Sequence, residues 1–147
     1  MVRLAKLMFD SMGVAADDAE WQLNGKRQVE ERLGLDLAVF VVDHPARPGK
    51  LVATAAGTIA ARLPVPTNPG GRVGYVQWVA TEPSFRLQGL GRMVMEALLA
   101  WFDDSLVPNV ELHATSHGAP LYRALGFWTG SGGVALRRRP WDPPRET

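Results

Sequence analysis

The chain contains no cysteine. Disulfides and thiolate chemistry from the protein are therefore excluded, and a reducing cytoplasm suits the sequence. Long apolar runs are missing too. None approaches the ~20 residues of a membrane span. The start, Met-Val-Arg-Leu-Ala-Lys, lacks the apolar core and cleavage site of a signal peptide. Charge of one sign is scarce. Sixteen Lys and Arg against fifteen Asp and Glu leave a net charge of +1, which gives no case for a nucleic-acid or acidic-membrane partner. The three histidines show no metal-ligand spacing, so no metal is implied. What remains is an ordinary globular composition, 46% apolar and 21% charged over 147 residues, enough for one domain with a real core.

Periodicity orders the chain. Leu4, Leu7 and Met8 share one face, predicting a helix over 3–12 that Gly13 ends. Asp17 or Asp18 caps a second helix running to about 33, and Asn24-Gly25 could split it in two. Strands are expected at 37–42 and 50–61, joined as a hairpin through Pro45, Pro48 and Gly49, with a bulge at Gly57. Three prolines and two glycines make 64–72 a long loop. A third strand follows at 73–81. The strongest helix, 89–104, carries the apolar stripe Leu90, Val94, Ala97, Leu98 and Trp101. A strand at 110–114, a short helix at 119–125 between Pro120 and Gly126, and a strand at 134–138 complete the order. This predicts one α/β domain over 1–138 with a mixed, mostly antiparallel sheet, helices on both faces and a βαβ unit at 73–114. Residues 139–147 read as a flexible tail.

Residues 86–92 read Arg-Leu-Gln-Gly-Leu-Gly-Arg, between a strand and a helix. Glycines admit a ligand close to the backbone, and free N–H groups at a helix start favour an anion. A P-loop would need Lys and Ser or Thr after the last glycine, and neither is there. A dinucleotide fingerprint would need a third glycine where Val94 stands, and a tighter first turn.

The surviving pattern, Arg/Gln-x-x-Gly-x-Gly/Ala after a strand, is complete as Arg86, Gly89 and Gly91. It resembles the acetyl-CoA pyrophosphate loop of the GNAT N-acetyltransferases. Residues 118–127, Gly-Ala-Pro-Leu-Tyr-Arg-Ala-Leu-Gly-Phe, resemble that family's second signature, a Leu-Tyr followed by Leu-Gly-Phe. Residues 79–86 and 8–13 also resemble a bacterial subgroup of it.

The resemblance implies the acyl-CoA N-acyltransferase fold and acetyl-CoA as co-substrate. The backbone of Leu87, Gln88, Gly89, Leu90, Gly91 and Arg92 would hold the pyrophosphate, with charge from Arg86 and Arg92. The strand end Val79, Ala80 and Thr81 would pair with the pantetheine arm, and Tyr122 would protonate the departing thiolate. Ser116 stands where many members carry an arm-contacting asparagine; it also reads as a plain loop or helix-cap serine. His113, His117, Glu111 and Glu82 are the candidate bases. Trp78 either walls the acceptor site or fills the core. Loop 62–72 and the N-terminal helices would shape that site for a small-molecule or peptide amine. The family usually opens with a strand before its first helix. This chain starts close to that helix, so either the edge strand is absent or the sequence is truncated. An exposed edge would invite pairing of two chains as a homodimer. The other readings of the chain are a non-catalytic acyl-CoA-binding or regulatory module on the same fold and a dinucleotide-binding domain.

Overall fold

The computed structural model describes residues 1–130. The strand expected at 134–138, the arginine run 137–139, the tail and the end of the 1–138 domain lie outside the described residues. Helix α1 (Val2–Ser11) buries Leu4 and Ala5. Helix α2 (Ala19–Arg32) is capped by Asp18, whose carboxylate accepts the Glu20 N–H at 2.8 Å. Strands β1 (Leu37–Asp43), β2 (Leu51–Ala61) and β3 (Arg72–Thr81) follow, then α3 (Leu90–Asp104), β4 (Asn109–Glu111) and α4 (Ala119–Ala124).

The sheet order is β1-β2-β3-β4. β1–β2 and β2–β3 are antiparallel, and β3–β4 is parallel. The expected α/β architecture with a mixed, mostly antiparallel sheet is what the chain adopts. Residues 53, 55 and 76 pack under α3 with Val94, Met95, Leu98 and Phe102. Helix α1 packs against β2 and β3.

Three expectations need correction. α2 is one helix, not two pieces. Gly25 sits inside it because a Cβ there would lie 2.5 Å from Cη2 of Trp78. Gly57 is not a bulge. Its neighbours Ala56, Gly57 and Thr58 pair in unbroken register with 75–77, and its missing side chain makes room for Leu98 and Phe102 of α3. The bulge lies one strand over. Thr54 pairs with Ala80 and Ala56 with Gln77, so Trp78 and Val79 together face Ala55. Finally, β4 is three residues, 109–111, instead of 110–114.

The Phe102 ring is fully buried, lying on two glycines, Gly57 and Gly74. A Cβ on Gly74 would approach the ring to 2.6 Å, and the ring has no free side to move to. Gly74→Ala should therefore cost about 1–3 kcal/mol by overpacking. Thermal melting would fall by roughly 2–4 °C per kcal/mol. Phe102→Leu added to Gly74→Ala should cost less than the sum of the two single changes. A Gly74→Ala protein that melts with the wild type would mean the ring relaxes freely.

Candidate active site

β3 and β4 are paired only from Val73–Asn109 to Tyr75–Glu111. β3 then runs on to Thr81 with β2 on one side, and over its C-terminal half no strand among the described residues pairs with its other edge. The bulge at Trp78 and Val79 sits in that half. Trp78 has φ 53°, a left-handed backbone rare for a bulky side chain. The indole turns onto α2, while Val79 returns to the core under α3.

From Thr81 the chain passes one 3-10 turn, Pro83–Phe85, and enters the glycine loop. Leu87 (φ 61°) and Gly89 (φ 79°) are both left-handed, and Leu87 is fully exposed. Gly89 is the N-cap of α3 and no side chain caps that end. The amides of Leu90, Gly91 and Arg92 precede any intrahelical acceptor, so they face outward unpaired by the helix. Open space fronts Gly89, where a Cβ would meet nothing within 4 Å. Uncapped amides, left-handed turn residues and the positive end of a fifteen-residue helix form a surface suited to phosphate.

The two arginines are engaged elsewhere. Arg86 folds back, its Nε donating to the Thr81 carbonyl at 3.2 Å. Arg92 donates to Glu96 at 2.8 Å, one turn along α3. The backbone is thus the more available anion ligand, and Gln88 is exposed beside it.

Distant segments converge here. A Cβ on Gly91 would lie 3.6 Å from Leu121 and 3.7 Å from the Thr81 hydroxyl. Strand end, helix start and α4 therefore meet at one point. Tyr122, next along α4, packs against the core, with Phe127 edge-on at 6.0 Å. Burial pushes its phenol pKa above the ordinary value of 10.0. Its hydroxyl has no hydrogen-bond partner among the described residues.

Ser116 is exposed in the turn before α4. The N-cap of α4 is Gly118, whose N–H is accepted by both the hydroxyl and the carbonyl of Thr115 at 3.1 Å. The helix-cap reading of Ser116 is thereby removed.

The four candidate bases separate clearly. Arg3 bonds Glu82 at 2.6 Å and holds its carboxyl below the ordinary value of 4.5. Arg62 takes both oxygens of Glu111 at 2.9 Å. His117 is exposed in the turn with Ser116. His113 lies just past β4, its Nδ1 2.6 Å from the Tyr75 hydroxyl. Tyr75 belongs to the last paired register before β3 and β4 part. Among the described residues no other side chain bonds the His113 ring, and none bonds His117.

Loop 62–72 is tied down by Asn68, whose amide bonds the Arg72 carbonyl at 2.9 Å and accepts from Gly71. It borders a cavity of about 280 Å³ with Val73, Pro108 and Asn109. This end of β3 is six residues from Trp78, about 20 Å at ~3.3 Å per residue. The loop thus borders the paired end of β3, away from Trp78. On the other side of Trp78 is a feature that periodicity does not reveal. Phe9, Trp21 and Trp78 form a chain of edge-to-face rings around a second cavity. Gly25 inside a helix is its one sequence trace.

No helix among the described residues is long and apolar enough to cross a membrane, and none of their His, Asp and Glu side chains gather in a group of three that could hold a metal. The model of the acetyltransferase (GNAT) family matches residues 6–127. Among solved structures, a predicted acetyltransferase with acetyl-CoA from Clostridium acetobutylicum is similar at 22% identity and TM-score 0.77, covering 92% of this chain and 86% of that one. A GCN5-related N-acetyltransferase from Ralstonia eutropha is similar at 25% identity and TM-score 0.76, covering 93% and 89%. Glucosamine-6-phosphate N-acetyltransferase from Arabidopsis thaliana shares the fold at 18% identity and TM-score 0.71, covering 93% and 88%. A search of curated protein sequences gives no match.

Proposed function

The chain belongs to the acetyltransferase (GNAT) family, and from that premise we propose that it moves an acetyl group from acetyl-CoA to a primary amine by direct attack. The observation that carries the reading is the convergence of the β3 end, an uncapped helix start and α4, the helix that carries Tyr122, on one point. In this reading the amides of 87–92 take the pyrophosphate, with open space before Gly89 to admit it. Backbone of Val79, Ala80 and Thr81 pairs with the amide-rich pantetheine arm as an added strand. Ser116, exposed in the turn before α4, would contact the arm.

An attacking amine must be neutral, and lysine-like amines sit near ~10.4, so a base is needed. His113, bonded to Tyr75 where β3 and β4 part, is the candidate this reading takes as the base. It would take the proton the amine loses as the N–C bond forms. An N–H of the bulged strand would stabilise the oxyanion, because a bulge leaves its extra residue out of the ladder. As the C–S bond breaks, Tyr122 would hydrogen-bond the departing thiolate.

The test is a thermal shift with acetyl-CoA followed by CoA-thiol release across an amine panel. Stabilisation by several degrees at millimolar acetyl-CoA, with amine-dependent release, is expected. Stabilisation without release from any amine would favour the non-catalytic acyl-CoA-binding module. Absence of stabilisation would overturn both readings.

A further inference from the structure

The cavity of about 210 Å³ on the α2 side of the bulge is lined by Phe9, Val14, Ala15, Ala16, Trp21 and Trp78. Trp21 donates its indole N–H to the Ala16 carbonyl at 3.2 Å, so that ring offers the cavity carbon. Gln22 bonds the same carbonyl at 3.0 Å, fixing the loop that forms the cavity wall. Phe9 and Trp21 meet at 5.3 Å and 83°, Trp21 and Trp78 at 6.2 Å and 77°.

Holding Trp78 there is costly in three separate ways. Its backbone is left-handed at φ 53°. A strand residue is bulged out of register to aim it. Helix α2 carries a glycine in its interior, worth ~1 kcal/mol against alanine, so that the indole can approach. Strain of this kind persists where a site needs a side chain in one place. Trp78 is also next to Val79, the first residue of the segment assigned to the acetyl-bearing arm.

We propose that this cavity receives the aromatic ring of the acceptor, and that the acceptor is an arylalkylamine: a neutral ring joined by a short alkyl linker to the reacting primary amine. The inference rests on the acetyl-transfer reading above. Size supports a ring, since an apolar cavity of about 150 Å³ already holds benzene. Edge-to-face packing of the existing rings leaves a further ring the same favoured contacts. A polycation or an amino sugar would find no carboxylate and no free hydroxyl among these six residues. With the ring seated against Trp78, the linker leads along β3 toward Val79, where the arm would place the acetyl group.

The experiment measures kcat/KM for phenethylamine and tryptamine against spermidine, glucosamine and a lysine peptide. Alongside it, quenching of tryptophan fluorescence by 2-phenylethanol reports ring binding without any acetyl transfer. Arylalkylamines should exceed the polar amines at least tenfold. Trp21→Ala should lower their kcat/KM at least tenfold, mainly through KM, while the acetyl-CoA thermal shift persists. Ala15→Phe, which fills the cavity from an exposed loop, should do the same and covers the case in which Trp21→Ala fails to fold. Equal or better use of polar amines, with the acetyl-CoA shift intact, would overturn the cavity assignment and leave the acetyl-transfer reading standing. No shift and no CoA release with any amine would overturn the acetyl-transfer reading and the arylalkylamine assignment that rests on it. Absence of a 2-phenylethanol quench would by itself overturn ring binding in the cavity, whatever the acetyl-CoA result.

Discussion

Gly89→Glu should remove acetyl-CoA binding, weakening it at least 100-fold, while the protein still folds. The variant separates ligand from scaffold because of where Gly89 sits. Its missing side chain faces open space, where a Cβ meets nothing within 4 Å. The cost to folding is the left-handed backbone at φ 79°, about 1–2 kcal/mol for an L-residue. A carboxylate at a helix N-terminus returns roughly 0.3–1 kcal/mol of that through the dipole. For the ligand the same carboxylate is adverse twice. It satisfies the outward amides of Leu90, Gly91 and Arg92 itself, and it repels a pyrophosphate. Two like charges about 4 Å apart cost on the order of 4 kcal/mol at an effective dielectric of 20. That exceeds the roughly 2.8 kcal/mol that a 100-fold loss represents. Gly89→Gln keeps the bulk without the charge and should lose less, and Gly89→Ala less than tenfold. Isothermal titration with acetyl-CoA reads all three. Equal affinity of the Glu and Gln variants would mean that no phosphate approaches this helix start.

That contrast also shows what could be read from residues alone. The loop at 86–92 was legible because glycines at fixed offsets between a strand and a helix constrain the backbone, and backbone is what would hold the anion. The core stripe of α3 was legible in part for a similar reason: Val94 and Leu98 recur at helical spacing and do bury, while the buried Phe102 lies outside the stripe that was read. Gly57 and Gly25 misled because a glycine signals the same thing, permissive backbone or close approach, whichever of the two is needed. At Gly57 it is the approach of Leu98 and Phe102, and at Gly25 that of Trp78. The left-handed backbone that a glycine would suggest falls instead on tryptophan 78, which no propensity favours there. The pairing of Glu82 with Arg3 and of Glu111 with Arg62 spans 79 and 49 residues. Contacts of that range leave no periodic mark, which is why four candidate bases stood equal in the sequence, whereas among the described residues the two glutamates are paired with arginines and the two histidines are not.

Tyr122→Phe should lower kcat about 100-fold and leave acetyl-CoA affinity within threefold. The substitution removes one oxygen and keeps the ring, whose contacts are the structural part: Phe127 edge-on, and the core under α3. Melting should therefore hold within about a degree, since the lost hydroxyl has no partner to orphan among the described residues. The size of the kinetic loss depends on how far the proton moves. A thiol titrates near ~8.5 and a phenol near ~10, so complete transfer is uphill by about 2 kcal/mol even in water. Burial raises the Tyr122 pKa further, which makes complete transfer less favourable still. The same shift keeps the phenol protonated, and so able to donate, across the whole range in which the enzyme would be assayed. The role that fits is a hydrogen bond that strengthens as charge builds on sulfur, which is worth most in the transition state and little in the ground state. This fixes the pH behaviour. A phenol raised above 10.0 contributes no limb to the rate profile at lower pH, so Tyr122→Phe should lower the plateau from pH 6 to 9 without moving the acid limb. A tyrosine that only fills the core would give a Phe variant with kcat within twofold of wild type, and that result would withdraw its part in the chemistry.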